Sequence, residues 1–95
     1  MERIKLYHNN FEIEEMTYQL KYILLEQAAE NGKVYGVSIE KVDVMGHQEK
    51  DSVIGLCENR ERAKQLLKTM AEGAVFPIHL ASICDDFLST EEING

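Results

Sequence analysis

Apolar and polar residues alternate along much of the first sixty positions, which is the pattern of strands with one buried face. Residues 3–7 alternate in this way and predict either a short strand or an ordered arm within residues 1–10. Residues 33–39 alternate more clearly and predict a strand. The compact apolar run at 53–57 predicts a further strand that is buried on both faces.

Residues 13–29 fit two structures. Apolar or aromatic residues occupy every second position from Met16 to Leu24, as in a strand, but several apolar side chains also fall near one helical face. Asn31 and Gly32 follow, and this dipeptide is preferred in two-residue type I′ hairpin turns because both positions take a positive φ. In the helical alternative, Gly32 would be the C-cap. We favour the hairpin, and both structures remain open at this point.

Two irregular segments are predicted farther along. The apolar phase moves from odd to even positions after Ile39, which predicts a β-bulge near Glu40 and Lys41. Residues 45–51 are polar with one glycine, and this composition is typical of a loop.

Helical periodicity dominates the last third of the chain. Asn59 is a suitable N-cap, and apolar residues then recur with helical spacing until Gly73. Pro77 fits the first turn of a second helix, and the polar residues 89–95 predict a frayed tail. Because strands precede helices, we expect one α+β domain over residues 1–95: an antiparallel meander of three to four strands followed by two C-terminal helices packed on one face.

The charge distribution narrows the classes of partner. The 95 residues carry a formal net charge of -7, and no Lys or Arg follows Lys68. This distribution argues against nucleic acid as a ligand, because phosphate binding needs clustered basic residues. No apolar run is long enough to cross a membrane, and the first residues do not read as a signal peptide. These features predict a cytoplasmic protein.

Few residues suggest chemistry. Cys57 and His79 are weak candidates for ligand binding, with Cys57 placed where a helix N-terminus would favour a thiolate. A metal cluster of His79 with Cys84 and the following aspartates is disfavoured, because the i, i+4 pairs do not supply two ligands. Phosphate-binding loops, nucleophile elbows and zinc-protease motifs are not found in the sequence. We therefore predict no catalytic residue, no metal and no cofactor.

Two kinds of surface are candidates for binding a partner. The aromatic candidates are Tyr18, Tyr22 and Tyr35, and the acidic candidates are Asp85 and Asp86. On the strand interpretation, Ile23 and Leu25 also lie on the sheet face that the helices leave uncovered. Apolar residues there predict a homodimer formed through the sheet, in which either two such faces or two sheet edges pair across a two-fold axis.

Three short motifs resemble a known family. The segments 35–41, 77–80 and 85–88 occur in the order found in a family of small proteins of clostridial-type Firmicutes, which is catalogued as a domain of unknown function. The resemblance covers roughly residues 16–88, and it departs from the family pattern at 81–84. It implies a compact cytosolic bacterial protein and brings no catalytic residues with it.

These features favour a non-enzymatic module that binds another protein or itself. The alternative is a small ligand-binding or metal-binding protein, or a minor enzyme, centred on His79, Cys57 and Tyr35.

Overall fold

A four-stranded antiparallel sheet and two helices make up the molecule. The computed structural model describes the backbone of residues 1–94 and the side chains of residues 1–89. The strands are β1 (Glu2–Ile13), β2 (Met16–Ala29), β3 (Gly32–Asp43) and β4 (Gln48–Cys57), in the spatial order β1-β2-β3-β4. They are followed by α1 (Arg60–Glu72), a 3₁₀ turn (Pro77–His79) and α2 (Leu80–Asn94). The predicted α+β meander with two C-terminal helices is confirmed.

The ambiguous segment is a strand. β2 is the longest strand, and its side chains at Leu20, Tyr22 and Leu24 all enter the core beneath the helices. The period of two therefore outweighs the helical propensity of residues 26–30. The N-terminal residues form the full strand β1, which pairs along the length of β2. The predicted frayed tail falls mostly outside the residues whose side chains are described, although α2 is assigned as far as Asn94.

The type I′ turn lies in a different hairpin from the one predicted. Ala29 pairs with Gly32, so the second hairpin turns at Glu30 and Asn31, neither of which has a positive φ. The first hairpin instead turns at Glu14 and Glu15, with φ values of 50° and 69°. A type I′ turn needs a positive φ at both central positions, and both residues here carry Cβ atoms that disfavour the left-handed region.

We expect the double substitution Glu14→Asn and Glu15→Gly to raise the free energy of unfolding by about 1–2 kcal/mol, because both new residues accept a positive φ. Urea unfolding would measure the change. A matched control, Glu14→Gln with Glu15→Gln, removes the same two charges and leaves the backbone preference unaltered. An equal gain in the control would show that charge repulsion, and not backbone strain, destabilises the turn.

The predicted bulge near Glu40 and Lys41 is wrong. β3 pairs without interruption through these residues with both β2 and β4. The change of apolar phase has another cause: Val42 lies on the sheet face away from the helices, while Lys41 continues the helix-facing row. The bulges occur instead in β1 between Lys5 and Tyr7 and in β4 opposite Gly36.

Two further details of the β3–β4 region differ from the prediction. The loop is confined to residues 44–47, because pairing resumes at Gln48 and includes the polar residues that suggested a longer loop. β4 is an edge strand and is not buried on both faces, since the side chain of Ile54 is 57% exposed.

The helices begin and end as the sequence indicates. The Asn59 side chain accepts a hydrogen bond from the Arg62 backbone N–H at 3.1 Å, which makes it the N-cap of α1. Gly73 closes α1 by donating to the Thr69 carbonyl. Pro77 opens the 3₁₀ turn that leads into α2, so its lack of an N–H is tolerated there.

One core lies between the helices and the sheet. Its fully buried members come from β2, β3, α1 and α2, so both helices contribute to the core. They include Leu20, Tyr22, Leu24, Val37, Ile39, Ala63, Leu67 and Leu80. Burial of such side chains is the main favourable term in folding.

The second face of the sheet is closed, which corrects the expectation of an uncovered apolar surface. Ile23 is only 6% exposed and Leu25 only 2%. Arg3 on β1 donates to Glu40 on β3 at 2.6 Å, so this ion pair crosses the outer face of β2 near Ile23. Beside Leu25, the backbone of β4 lies where a side chain at Gly36 would be. Ile23 and Leu25 are therefore already buried in the monomer and cannot provide apolar surface for a homodimer formed through this face.

Candidate functional site

A concave and mainly apolar feature, a groove, lies at the junction of the helices. It has a volume of about 520 Å³, and its walls are mostly apolar. It is lined by Gly73, Ala74, Val75, Phe76, His79, Ser82 and Ile83. The segment between the helices forms one wall and the first turn of α2 forms the other. Ile78, the residue before His79, has a side chain that is 76% exposed.

Tyr22 holds the segment between the helices against the sheet. Its hydroxyl donates a hydrogen bond to the Val75 carbonyl at 3.0 Å, which ties the connection between the helices to the centre of the sheet. Burial raises the pKa of Tyr22 to about 12, so the hydroxyl stays protonated as a donor. Tyr22 is fully buried and cannot belong to a partner surface, which corrects that part of the sequence prediction.

An aromatic cluster lies behind the groove. Phe76, which lines the groove, packs against Phe11 with ring centroids 5.4 Å apart. Phe11 in turn stacks on Tyr18 at 5.5 Å. The ammonium group of Lys41 lies 4.6 Å from the centroid of the Phe76 ring and 5.1 Å from that of Tyr18, and its side chain is only 14% exposed. Tyr18 is half-buried in this cluster, where its ring packs against the groove residue Phe76 with centroids 6.3 Å apart.

Tyr35 lies at the other end of the sheet. It pairs with Glu26 on β2, eight residues along the strand from Tyr18, which is a separation of about 27 Å. Glu26 is nearly buried there and accepts a hydrogen bond from Arg60 at 2.7 Å. The Arg60 guanidinium, with help from Lys33, holds the pKa of Glu26 below its usual range. The three tyrosines therefore do not form one surface.

Cys57 and His79 are also far apart. Cys57 ends β4, just before α1, and its thiol donates to the Asn59 carbonyl at 3.4 Å. His79 lies beyond the other end of α1, which spans about 20 Å. Sequence analysis grouped the two residues as weak ligand candidates, but the fold brings only His79 to the groove.

Cys84 is a core residue of α2. It is buried, and burial together with the neighbouring Asp85 raises the pKa of its thiol to about 11, so it stays protonated near neutral pH. Among the described side chains, no three of the types His, Cys, Asp and Glu are placed to hold one metal ion.

Three exposed acidic residues lie close in the chain to residues that line the groove. Asp85 and Asp86 are exposed on α2, three and four residues after the groove residue Ser82, and therefore on the next turn of the same helical face. Glu72 is exposed at the end of α1, next to Gly73. We call Glu72, Asp85 and Asp86 the acidic rim. The two aspartates that the sequence analysis names as candidates for binding a partner are thus exposed.

Sequence analysis missed the groove itself. Its best signal is the segment 74–76, which is wholly apolar although it connects two helices. Connections normally run over the surface and are polar, so an apolar connection indicates contact with the core. The contributions of Phe11 and Lys41 carry no local signal, because their positions depend on the pairing of β1, β2 and β3.

Comparison with known proteins places the chain in a family. Over the residues that the structure describes, no helix is both long and apolar enough to cross a membrane. Neither a curated protein nor a solved structure matches the sequence. One family model matches residues 1–90, which confirms the domain of unknown function but leaves the clostridial origin as a prediction. The chain therefore belongs to the family of unknown function DUF6514.

Proposed function

We propose that this protein is a cytoplasmic, non-enzymatic module that binds another protein through the groove between its helices. The carrying observation is the combination of an open, mainly apolar groove with the acidic rim beside it. Such a groove suits one or two large apolar side chains of a partner, in the way that short helices and extended segments dock on hydrophobic grooves.

The acidic residues near the groove favour a partner segment that is basic. The part of the chain after Lys68, which supplies both the groove lining and the rim, has no Lys or Arg. A segment with apolar anchors flanked by Lys or Arg would gain electrostatic attraction, while an acidic segment would be repelled. We therefore infer a partner segment that is basic and carries at least one Leu, Phe or Trp.

Two residues of the groove wall are fixed to the rest of the fold by side-chain contacts, which favours binding. Val75 is held to the sheet by the Tyr22 hydroxyl, and Phe76 is packed in the aromatic cluster. Because little conformational entropy remains to be lost in the walls, binding there costs less than ordering a loose loop.

The test uses two panels of synthetic peptides, each with a single Leu, Phe or Trp placed among lysines or among glutamates. We expect the lysine peptides to shift amide NMR signals at residues 73–83 and the glutamate peptides to leave them unchanged. Replacing Ser82 with Trp should block the groove and abolish the shifts. The matched control is Ser89→Trp, which adds the same bulk to an exposed site farther along α2.

A second comparison isolates the acidic rim. Changing Glu72→Gln, Asp85→Asn and Asp86→Asn together should weaken lysine-peptide binding at least tenfold at low salt and reduce its salt dependence. If no lysine peptide shifts the groove signals, or if Ser82→Trp binds as well as the unmodified protein, the proposed function is wrong.

A small ligand is the second candidate for the groove. Its volume is within the range of small-molecule sites, and His79 supplies one polar group that can donate or accept a hydrogen bond. The alternative centred on His79, Cys57 and Tyr35 is thereby reduced to His79 alone. A metabolite and divalent-metal panel should then raise the melting temperature of the protein, and His79→Ala should remove that effect.

A further inference from the structure

The two edge strands of the sheet differ in how they are protected against pairing with a strand of another chain. β4 forms one edge, and it presents the exposed charged residues Glu49, Lys50 and Asp51. It is also interrupted by a bulge, with Gly55 at a φ of 66°. Charges and bulges on an edge strand prevent pairing with another chain.

β1 forms the other edge and has no such protection over most of its length. Residues 6–11 contain no Asp, Glu, Lys or Arg, and β1 pairs regularly with β2 from Tyr7 to Ile13, beyond its bulge. Every second residue of an edge strand directs its backbone N–H and C=O away from the sheet. This stretch therefore offers an uncharged, regular row of backbone groups.

We propose that β1 pairs with β1 of a second copy of this chain, in antiparallel orientation, to form a continuous eight-stranded sheet. Such an interface about a two-fold axis must be self-complementary. The regular stretch from Tyr7 to Ile13 meets this requirement in charge, because Glu12 is its only residue of the types Asp, Glu, Lys and Arg, and His8 lies four residues before it. In an antiparallel pair centred between these two residues, each Glu12 faces a histidine, so two copies of an acidic protein can meet along β1 without like charges lying opposite each other.

The bulge fixes the pairing register. A regular ladder confined to residues 7–13 places Asn10 opposite Asn10 of the second copy, at the two-fold axis. His8 then lies opposite Glu12, where its ring N–H can donate to the carboxylate. Tyr7 lies opposite Ile13, an aromatic–aliphatic pair of the kind that stabilises sheets. Asn10 itself is exposed, and its amide can bond to its symmetry mate.

The first experiment measures mass by light scattering across micromolar to millimolar concentrations. We expect the unmodified protein to approach twice 10.9 kDa. Asn10→Lys should remain at 10.9 kDa, because two lysines would meet at the axis. A mixture of Asn10→Lys and Asn10→Asp should recover the dimer. The matched control is Gln19→Lys, which adds the same charge on β2 directly beside Asn10.

The second experiment tests the register by oxidation. Directly opposite residues in an antiparallel ladder have Cα atoms about 5 Å apart, within reach of a disulfide. Asn10→Cys in a Cys57→Ser background should therefore form a disulfide-linked dimer quickly, and Lys50→Cys on β4 should not. A monomer at every concentration, a dimer that survives Asn10→Lys, or equal cross-linking of the two cysteine variants would overturn the proposal.

Discussion

Replacing Gly36 with alanine should lower the free energy of unfolding by at least about 3 kcal/mol, at or above the usual range for overpacked sites. A Cβ atom at Gly36 would lie 2.2 Å from the Val53 carbonyl oxygen and 3.0 Å from the Ile54 Cα atom. Both are backbone atoms, so no side-chain rotation can relieve the collision. β4 would have to move away from β3.

The effect should be large because Gly36 determines how β4 closes the sheet. Three residues, Ile54, Gly55 and Leu56, lie between the pairs that flank Gly36 on β4. This bulge brings the β4 backbone over the position next to Leu25 and helps to bury that side chain. A displaced β4 would expose Leu25 and pull Leu56 away from the core.

Urea unfolding of Gly36→Ala would measure the loss. The control is Gly73→Ala, because Gly73 has a negative φ and an added Cβ would meet only ordinary contacts of 3.6 Å and longer. We expect the control to remain within about 0.5 kcal/mol of the unmodified protein. A loss below about 1 kcal/mol at Gly36 would mean that β4 does not approach β3 as closely as described.

The parts of this fold that the sequence predicts correctly are those that local interactions determine. The N-cap at Asn59 and the helix end at Gly73 depend on hydrogen bonds within a few residues. The meander follows from short connections between alternating strands. The strand character of β2 was open because period-two and helical patterns overlap there, and only pairing with β1 and β3 resolved it.

The turn was predicted at the wrong position because it depends on contacts between residues that are far apart in the sequence. Asn31 and Gly32 have the chemistry of a type I′ turn, but register places the turn one residue earlier. That register is determined by which β2 side chains enter the core, and a one-residue slip would turn all of them to the wrong face. Glu14 and Glu15 then adopt the strained turn because the flanking strands impose it.

In the candidate site, too, some features are visible in the local sequence and others depend on long-range contacts. The acidic rim was visible as a charge pattern, and His79 was visible as a residue type. That His79 lines a groove with Phe76 while Cys57 lies at the other end of α1 depends on the path of the chain between the helices. That path rests on the Tyr22 hydrogen bond, which joins residues 53 positions apart.

The second large effect is expected for Leu67→Ala, which should lower the free energy of unfolding by about 2–5 kcal/mol. Leu67 is fully buried in the middle of α1, where truncation removes apolar contact and leaves a cavity against the sheet. Urea unfolding with an unchanged m-value would measure it. Gln65→Ala, on the exposed side of the same helix, should change stability by less than about 0.5 kcal/mol. Equal losses in the two variants would contradict the assignment of the buried helical face, and with it the position of the groove that α1 leads into.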